Sequence, residues 1–232
     1  LLTHFRELWR PASAGLALPV ASATIAQGIV IAIAAGAGPA AVPLFTTMRT
    51  LARVPVQLAQ IVSRAAMPVL TVADARGDAG RRSELVVMMI LASGLILVPG
   101  TLAIITIGPA FVELWTLGEV SPTHLLALVI GISMFCNGCW QQIGDMLLAI
   151  NRHGQYAFLY LILATALVGA AYPLSRTFGI TGAAAALGFT DAIMLAWMAI
   201  VARRIGFLDS GKILASWQVM KNRAIAWLGA KA

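Results

Sequence analysis

Long apolar runs, separated by short polar or glycine-containing breaks, organise this chain. Six runs are long enough for a helical membrane span, covering residues 11–34, 41–69, 85–108, 122–150, 156–174 and 180–201. The breaks between them are brief: a Gly/Ala/Pro turn at 35–40, a charged loop at 71–84, an acidic stretch at 109–121, and tight turns at 151–155 and 175–179. Strand-like alternation is absent from the runs, which are rich in Ala, Leu and Ile, so a transmembrane barrel is not expected. The pattern predicts an all-α polytopic membrane protein, a six-transmembrane-helix bundle over residues 1–205.

Composition strengthens that expectation. Of 232 residues, 60% are hydrophobic and 11% charged, and the mean hydropathy is +0.89, against roughly 45–50% and 25% in soluble domains. Beyond the last run, Ile213, Trp217, Met220, Ala224, Trp227 and Leu228 recur at helical spacing beside Lys212, Lys221 and Arg223. Residues 206–232 therefore read as a basic amphipathic cytoplasmic tail lying on the membrane surface, or as a short soluble extension. The chain opens at Leu1 with Arg6 and Arg10 around Trp9 and no cleavable signal sequence, which reads as a fragment of a longer protein.

The net charge of +7 gains meaning from its placement. Arg6, Arg10, Arg76, Arg81, Arg82, Arg152, Arg203, Arg204, Lys212, Lys221, Arg223 and Lys231 fall on one side of a six-span topology, and Arg176 alone on the other. Basic loops stay in the cytoplasm, so both termini of the segment are expected there, with Glu113 and Glu119 outside. No basic recognition motif suggests nucleic acid; membrane lipid and a lipid-like anion are the expected partners.

The second span breaks the apolar rule. Arg49, Arg53 and Arg64 lie within it, although one arginine at a helix centre costs about 2.5–3.5 kcal/mol on insertion scales. At ~100° per residue, Thr46, Arg49, Arg53, Gln57, Gln60 and Arg64 share an arc of about 80°, while Leu51, Val54, Leu58 and Val62 point elsewhere. With Arg53 near mid-membrane, Arg49 lies about 6 Å and Arg64 about 16 Å away on opposite sides. Pro55 is expected to kink this helix or free a carbonyl. Such a face lines a hydrated cavity that concentrates an anion, or pairs with acids to stabilise packing.

Span four carries Ser133, Asn137, Gln141 and Asp145 at steps of four, with Gln142 adjacent, and reads as a second wall or as an interhelical hydrogen-bonding seam. Asp191 in span six, near the small residues Gly182 to Ala186, is expected to be a countercharge for an arginine or, like Asp145, an ion-coupling group. Cys136 and Cys139 form a CxxC without a histidine at ligand spacing, and His4, His124 and His153 are scattered; no metal site and no cofactor are expected. Nucleophile triads, phosphate-binding loops and dinucleotide fingerprints are absent, so the chain does not read as an enzyme.

The stretches "AAVPLFTTMRTLARVPVQLAQIVSRAAMPVLTVADARGD", "MLLAINRHGQYAFLY" and "FGITGAAAALG" resemble the second half of bacterial polysaccharide flippases of the O-antigen type, within the multidrug/oligosaccharidyl-lipid/polysaccharide exporter superfamily. The resemblance implies two six-helix lobes around a central cavity, this chain being the carboxy-terminal lobe and an amino-terminal six-helix lobe its partner. It also implies translocation of polyprenyl-pyrophosphate-linked oligosaccharide across the bacterial inner membrane, with the cationic stripe of Arg49, Arg53 and Arg64 at the pyrophosphate. A multidrug or cation antiporter of the same superfamily, an integral enzyme acting on polyprenyl phosphates through Asp74 and Asp78, and a structural membrane subunit are the other classes weighed.

Overall fold

In a computed structural model of the chain, residues 2–207 and Gln218 are described, with side chains from Ala12 onward. The tail expected over 206–232 lies almost wholly outside the described residues. Among those described the protein is all-helical: α1 (Leu2–Gly36), α2 (Ala41–Ala75), α3 (Ala79–Thr106), α4 (Gly108–Trp115), α5 (His124–Ala149), a single 3-10 turn (His153–Gln155) and α6 (Ala157–Ile205). Five of these helices are long and apolar enough to cross a membrane. The protein is a helical membrane bundle.

The fifth and sixth predicted spans form one 49-residue element, α6, which breaks at Gly179 (φ 63°, ψ −152°). That conformation is open only to glycine. Unbroken, the helix would reach about 73 Å, more than twice the ~30 Å hydrocarbon core. Instead the limbs 157–178 and 180–205 fold back on one another. Both contribute to a single apolar groove, through Leu163, Leu174, Ala185 and Phe189 among others. Near the limbs' far ends Trp197 Nε1 donates to the Gln155 carbonyl (3.1 Å). Close reversal requires Gly182, where a Cβ would collide with the Leu174 carbonyl. The turn expected over 175–179 is thus one residue, and each limb is long enough for its own crossing.

Two further differences arise where polarity alone suggests a loop. The acidic stretch 109–121 contains the helix α4, started by Gly108 with Pro109 in its first turn, where proline's missing N–H costs nothing. In α2 the helix runs unbroken through Pro55 and Pro68 to Ala75; Pro55 is seated on Gly100 of α3, where a Cβ would stand 2.5 Å from its ring. At the other end of α3, the Asp78 side chain accepts from the Arg81 N–H (2.9 Å) as an N-cap.

Partner residues reveal how the helices run. α2 and α3 are antiparallel, with Met48 opposite Gly108, Pro55 opposite Gly100, and Asp74 paired with Arg82 at 2.9 Å. α3 and α5 are also antiparallel, Ile105 meeting Gly131 and Leu97 meeting Gly138. By contrast, α2 and α5 are parallel: Gln60 bonds to Gln141, Ser63 to Gln142 and Thr71 to the Ala149 carbonyl, at sequence separations of 81, 79 and 78 residues. α5 runs parallel to the second limb of α6 (Ser133 by Gly188, Gly144 by Met198), and α1 parallel to the first (Gly28 by Val168, Gly36 by Tyr172). Glycines recur at these crossings because membrane helices associate by close packing rather than by a hydrophobic drive.

One pairing is nearly missing. α1 and α2 are sequence neighbours, yet they touch little, and α2 barely meets α6. A cleft remains with α1 and the first limb of α6 on one side, α2 on the other and α5 at its base. It is the fold's provision for polar groups that cannot be packed.

Candidate functional site

The arginine stripe of α2 turns toward this cleft. Arg49 is partly buried beside the Phe45 ring, its guanidinium carbon 5.8 Å from the centroid, and its Nε is buried without a hydrogen-bond partner. Arg53 is exposed one turn on. Both line a cavity of about 60 Å³ completed by Asn137, Gln141, Tyr160 and Asp191, a volume sufficient for a few waters or one compact polar group. A second cavity of about 280 Å³ shares Ser22, Gln141 and Tyr160 with the first and adds Trp140, Asp145 and Tyr156. The two adjoin as a polar recess between α1, α2, α5 and α6, with Arg49, Arg53 and Asp191 at one end and Asp145 at the other.

Four residues link the cleft's base to α2. Gln60 Nε2 donates to Gln141 Oε1, Gln141 Nε2 to Asn137 Oδ1, and Asn137 Nδ2 to Asp191 Oδ1 (2.8 Å). The polar stripes of spans two and four are therefore partly zipped together. Gln60 serves the seam alone, whereas Asn137 and Gln141 belong to the seam and also line the recess.

Asp191 is fully buried, and its carboxylate is held by neutral donors. Ser133 Oγ donates to Oδ2 (2.8 Å), and Trp140 Nε1 joins Asn137 on Oδ1 (3.1 Å). The expected arginine pairing is not a direct ion pair: among the described residues no arginine lies within 4 Å of Asp191, and Arg49 shares its cavity instead. Three donors offset much of the cost of burying the charge, which explains how it stands without a contacting cation.

Arg64 and Gln57 are exposed on the α2 surface and line neither cavity. Arg64 stands within electrostatic reach of Asp145, one of whose oxygens, Oδ2, is buried without a hydrogen-bond partner. Arg53, Gln57 and Arg64 together place a cationic edge on the outside of the bundle, beside the exposed apolar Val54, Leu58 and Ile61. Such an edge does not face hydrocarbon.

Asp74 and Asp78 are occupied, one by Arg82 and the other as the α3 cap. No group of acids, histidines and cysteines able to hold a metal occurs among the described residues, and Cys136 and Cys139 are free and partly buried. Ser22, Trp140 and Tyr160 enter the site unannounced by the sequence. Trp140 has one detectable signal, a donor one turn after Asn137; Tyr160 lies in an apolar run and resembles an ordinary packing residue.

No family model, curated protein or solved structure matches the chain. The fold and the site define a multi-pass helical membrane protein with a polar recess lined by two arginines and two aspartates.

Proposed function

We propose that this chain is the carboxy-terminal lobe of a transporter that moves polyprenyl-pyrophosphate-linked oligosaccharide across the bacterial inner membrane. The observation that carries the reading is the recess itself, where Arg49 and Arg53 border a cavity together with neutral hydrogen-bonding groups and the donor-saturated Asp191, and Arg49 Nε is buried without a partner. Guanidinium forks bind phosphate oxygens with charge-assisted hydrogen bonds, and a low-dielectric wall strengthens them. Gln141, Asn137, Ser22 and Tyr160 supply hydrogen bonds of the kind sugar hydroxyls require. The exposed edge of Arg53, Gln57 and Arg64 calls for a cover, which an amino-terminal six-helix lobe provides across a shared cavity.

A cation antiporter finds support in the unpartnered Asp145 oxygen. Three arginines against two carboxylates weigh against it, with Arg49 sharing the cavity of Asp191 and Arg64 within electrostatic reach of Asp145. The deciding experiment disrupts the gene in its own bacterium and measures surface glycan and its lipid-linked precursor. The proposal expects lost surface glycan and accumulated precursor on the cytoplasmic leaflet; unchanged glycan with altered drug tolerance would favour the antiporter.

The helix ends carrying Arg76, Arg81, Arg82, Arg152, Arg203 and Arg204 gather at one end of the bundle, opposite Arg176, Glu113 and Glu119. The positive-inside rule supports a cytoplasmic position for the basic end. Single cysteines at Arg81 and Glu119, in a Cys136→Ala/Cys139→Ala background, are expected to react with an impermeant maleimide in intact cells at position 119 and only after lysis at position 81. The reverse result would invert the topology.

A further inference from the structure

The link between α3 and α5 is built with an unusual surface. Gly108, Pro109 and Val112 of α4 are buried, and Gly108 sits beside Ile104 of α3 and Met48 of α2. Phe111, Leu114 and Trp115 are exposed along its flank, with the two rings tilted at a centroid distance of 6.1 Å. Ile107 joins this flank to the exposed apolar positions Leu95, Val98 and Leu102 of α3. The buried face and this flank of α4 are thus both apolar, and Glu113 is its sole charged residue.

The turn after α4 adds a second observation. Leu117 has φ 53°, in the left-handed region that disfavours a residue with a Cβ, and Gly118 follows at φ 86°. The Thr116 hydroxyl secures the turn, donating to the Val112 carbonyl (2.8 Å) and accepting from the Val120 N–H (3.1 Å). The outcome of this ordered, strained turn is a leucine 91% exposed at its tip. A strained backbone that holds an apolar side chain away from its own protein implies that something apolar receives it.

We infer that α4 and the Leu117 tip lie in the boundary between lipid headgroups and acyl chains, as an interfacial anchor whose partner is the bilayer itself. The occupant follows from position. α4 joins the ends of two membrane-length helices, which puts it at the membrane surface, and its patch continues the exposed apolar belt of α3 through Ile107 and lies next in the chain to the exposed Leu125 of α5. Aromatic residues favour this depth, and Glu113 and Glu119, both exposed, supply the polar edge. Through Met48 the anchor bears on the turn of α2 that carries Arg49, and so fixes the depth of the arginine stripe.

The test is depth-dependent quenching on the full chain reconstituted in lipid nanodiscs. Leu117→Cys and Leu114→Cys, each in a Cys136→Ala/Cys139→Ala background, are labelled with bimane, with Leu95→Cys and Glu119→Cys as mid-bilayer and water controls. Lipids brominated high on the acyl chain are expected to lower emission at positions 117 and 114 about twofold, with little effect from aqueous iodide. Quenching by iodide at the level of position 119 would place the tip in water, and quenching by neither agent would mean that protein covers it; either result overturns the anchor. Two labelled sites keep the test independent of any one variant's folding, and none of the outcomes depends on what the recess carries.

Discussion

Replacing both Arg49 and Arg53 by alanine is expected, on the proposed transporter role, to abolish glycan export while leaving the protein in the membrane. Each arginine offers a charge-assisted hydrogen bond worth about 1.5–3 kcal/mol, so losing two weakens a phosphate complex by roughly 10²–10⁴-fold. Insertion is expected to improve, because each substitution removes a charge costing about 2.5–3.5 kcal/mol at the span centre. Lysine separates two origins of the effect. It keeps the charge and loses the planar fork, so partial export by Arg49→Lys indicates that charge dominates, and little export that bidentate phosphate recognition does. Arg64, exposed and outside the recess, is expected to tolerate lysine. The measurement is outer-leaflet glycan normalised to membrane protein. Full export by the double variant would remove the arginine-lined recess from the mechanism, whereas normal specific export with lowered abundance would make both arginines structural.

Asp191 is expected to behave as a structural acceptor whose loss lowers the amount of folded protein. In Asp191→Ala the Ser133 hydroxyl, the Asn137 amide and the Trp140 indole N–H all lose their acceptor. Each buried donor left unsatisfied costs about 1–3 kcal/mol, with relaxation of the serine rotor reducing the sum. Asp191→Asn is expected to be milder. The asparagine oxygen still accepts from Asn137 and Trp140, and Ser133 can reverse its hydroxyl to accept from the new amide. The expected order of thermal stability in detergent is wild type, then Asn, then Ala, with export per molecule of folded protein unchanged in its H⁺ and Na⁺ dependence. Normal stability with lost ion dependence would make Asp191 a coupling group instead.

How much of this was legible beforehand depended on whether the signal was local. The runs of apolar residues specify membrane-length helices through a simple requirement: in hydrocarbon each backbone polar group must be satisfied within its own segment. Helical periodicity likewise put Arg49, Arg53, Gln60 and Arg64 on one side of α2, a consequence of the 3.6-residue turn alone. The charge segregation followed from counting. The membrane-length helices and the polar stripe survive in the structure because they belong to single helices.

What only the tertiary structure decided is how those faces are used. A stripe of polar residues does not say which neighbour it meets, and the parallel pairing of α2 with α5 diverted Gln60 and Ser63 into a seam while leaving Arg49 and Arg53 on the cleft. Asp191 had arginines within its hydropathic neighbourhood, yet the register of α5 brought it neutral donors. Trp140 and Tyr160 became site residues because their helices converge there, although their local sequence is that of ordinary core. Gly179 and the α4 segment show the same limit: a single φ/ψ choice turned one long helix back on itself, and packing of Val112 folded a nominal loop into a helix. Sequence fixes which groups need a solution; interhelical register, which depends on contacts between residues far apart in the chain, determines which solution each one receives.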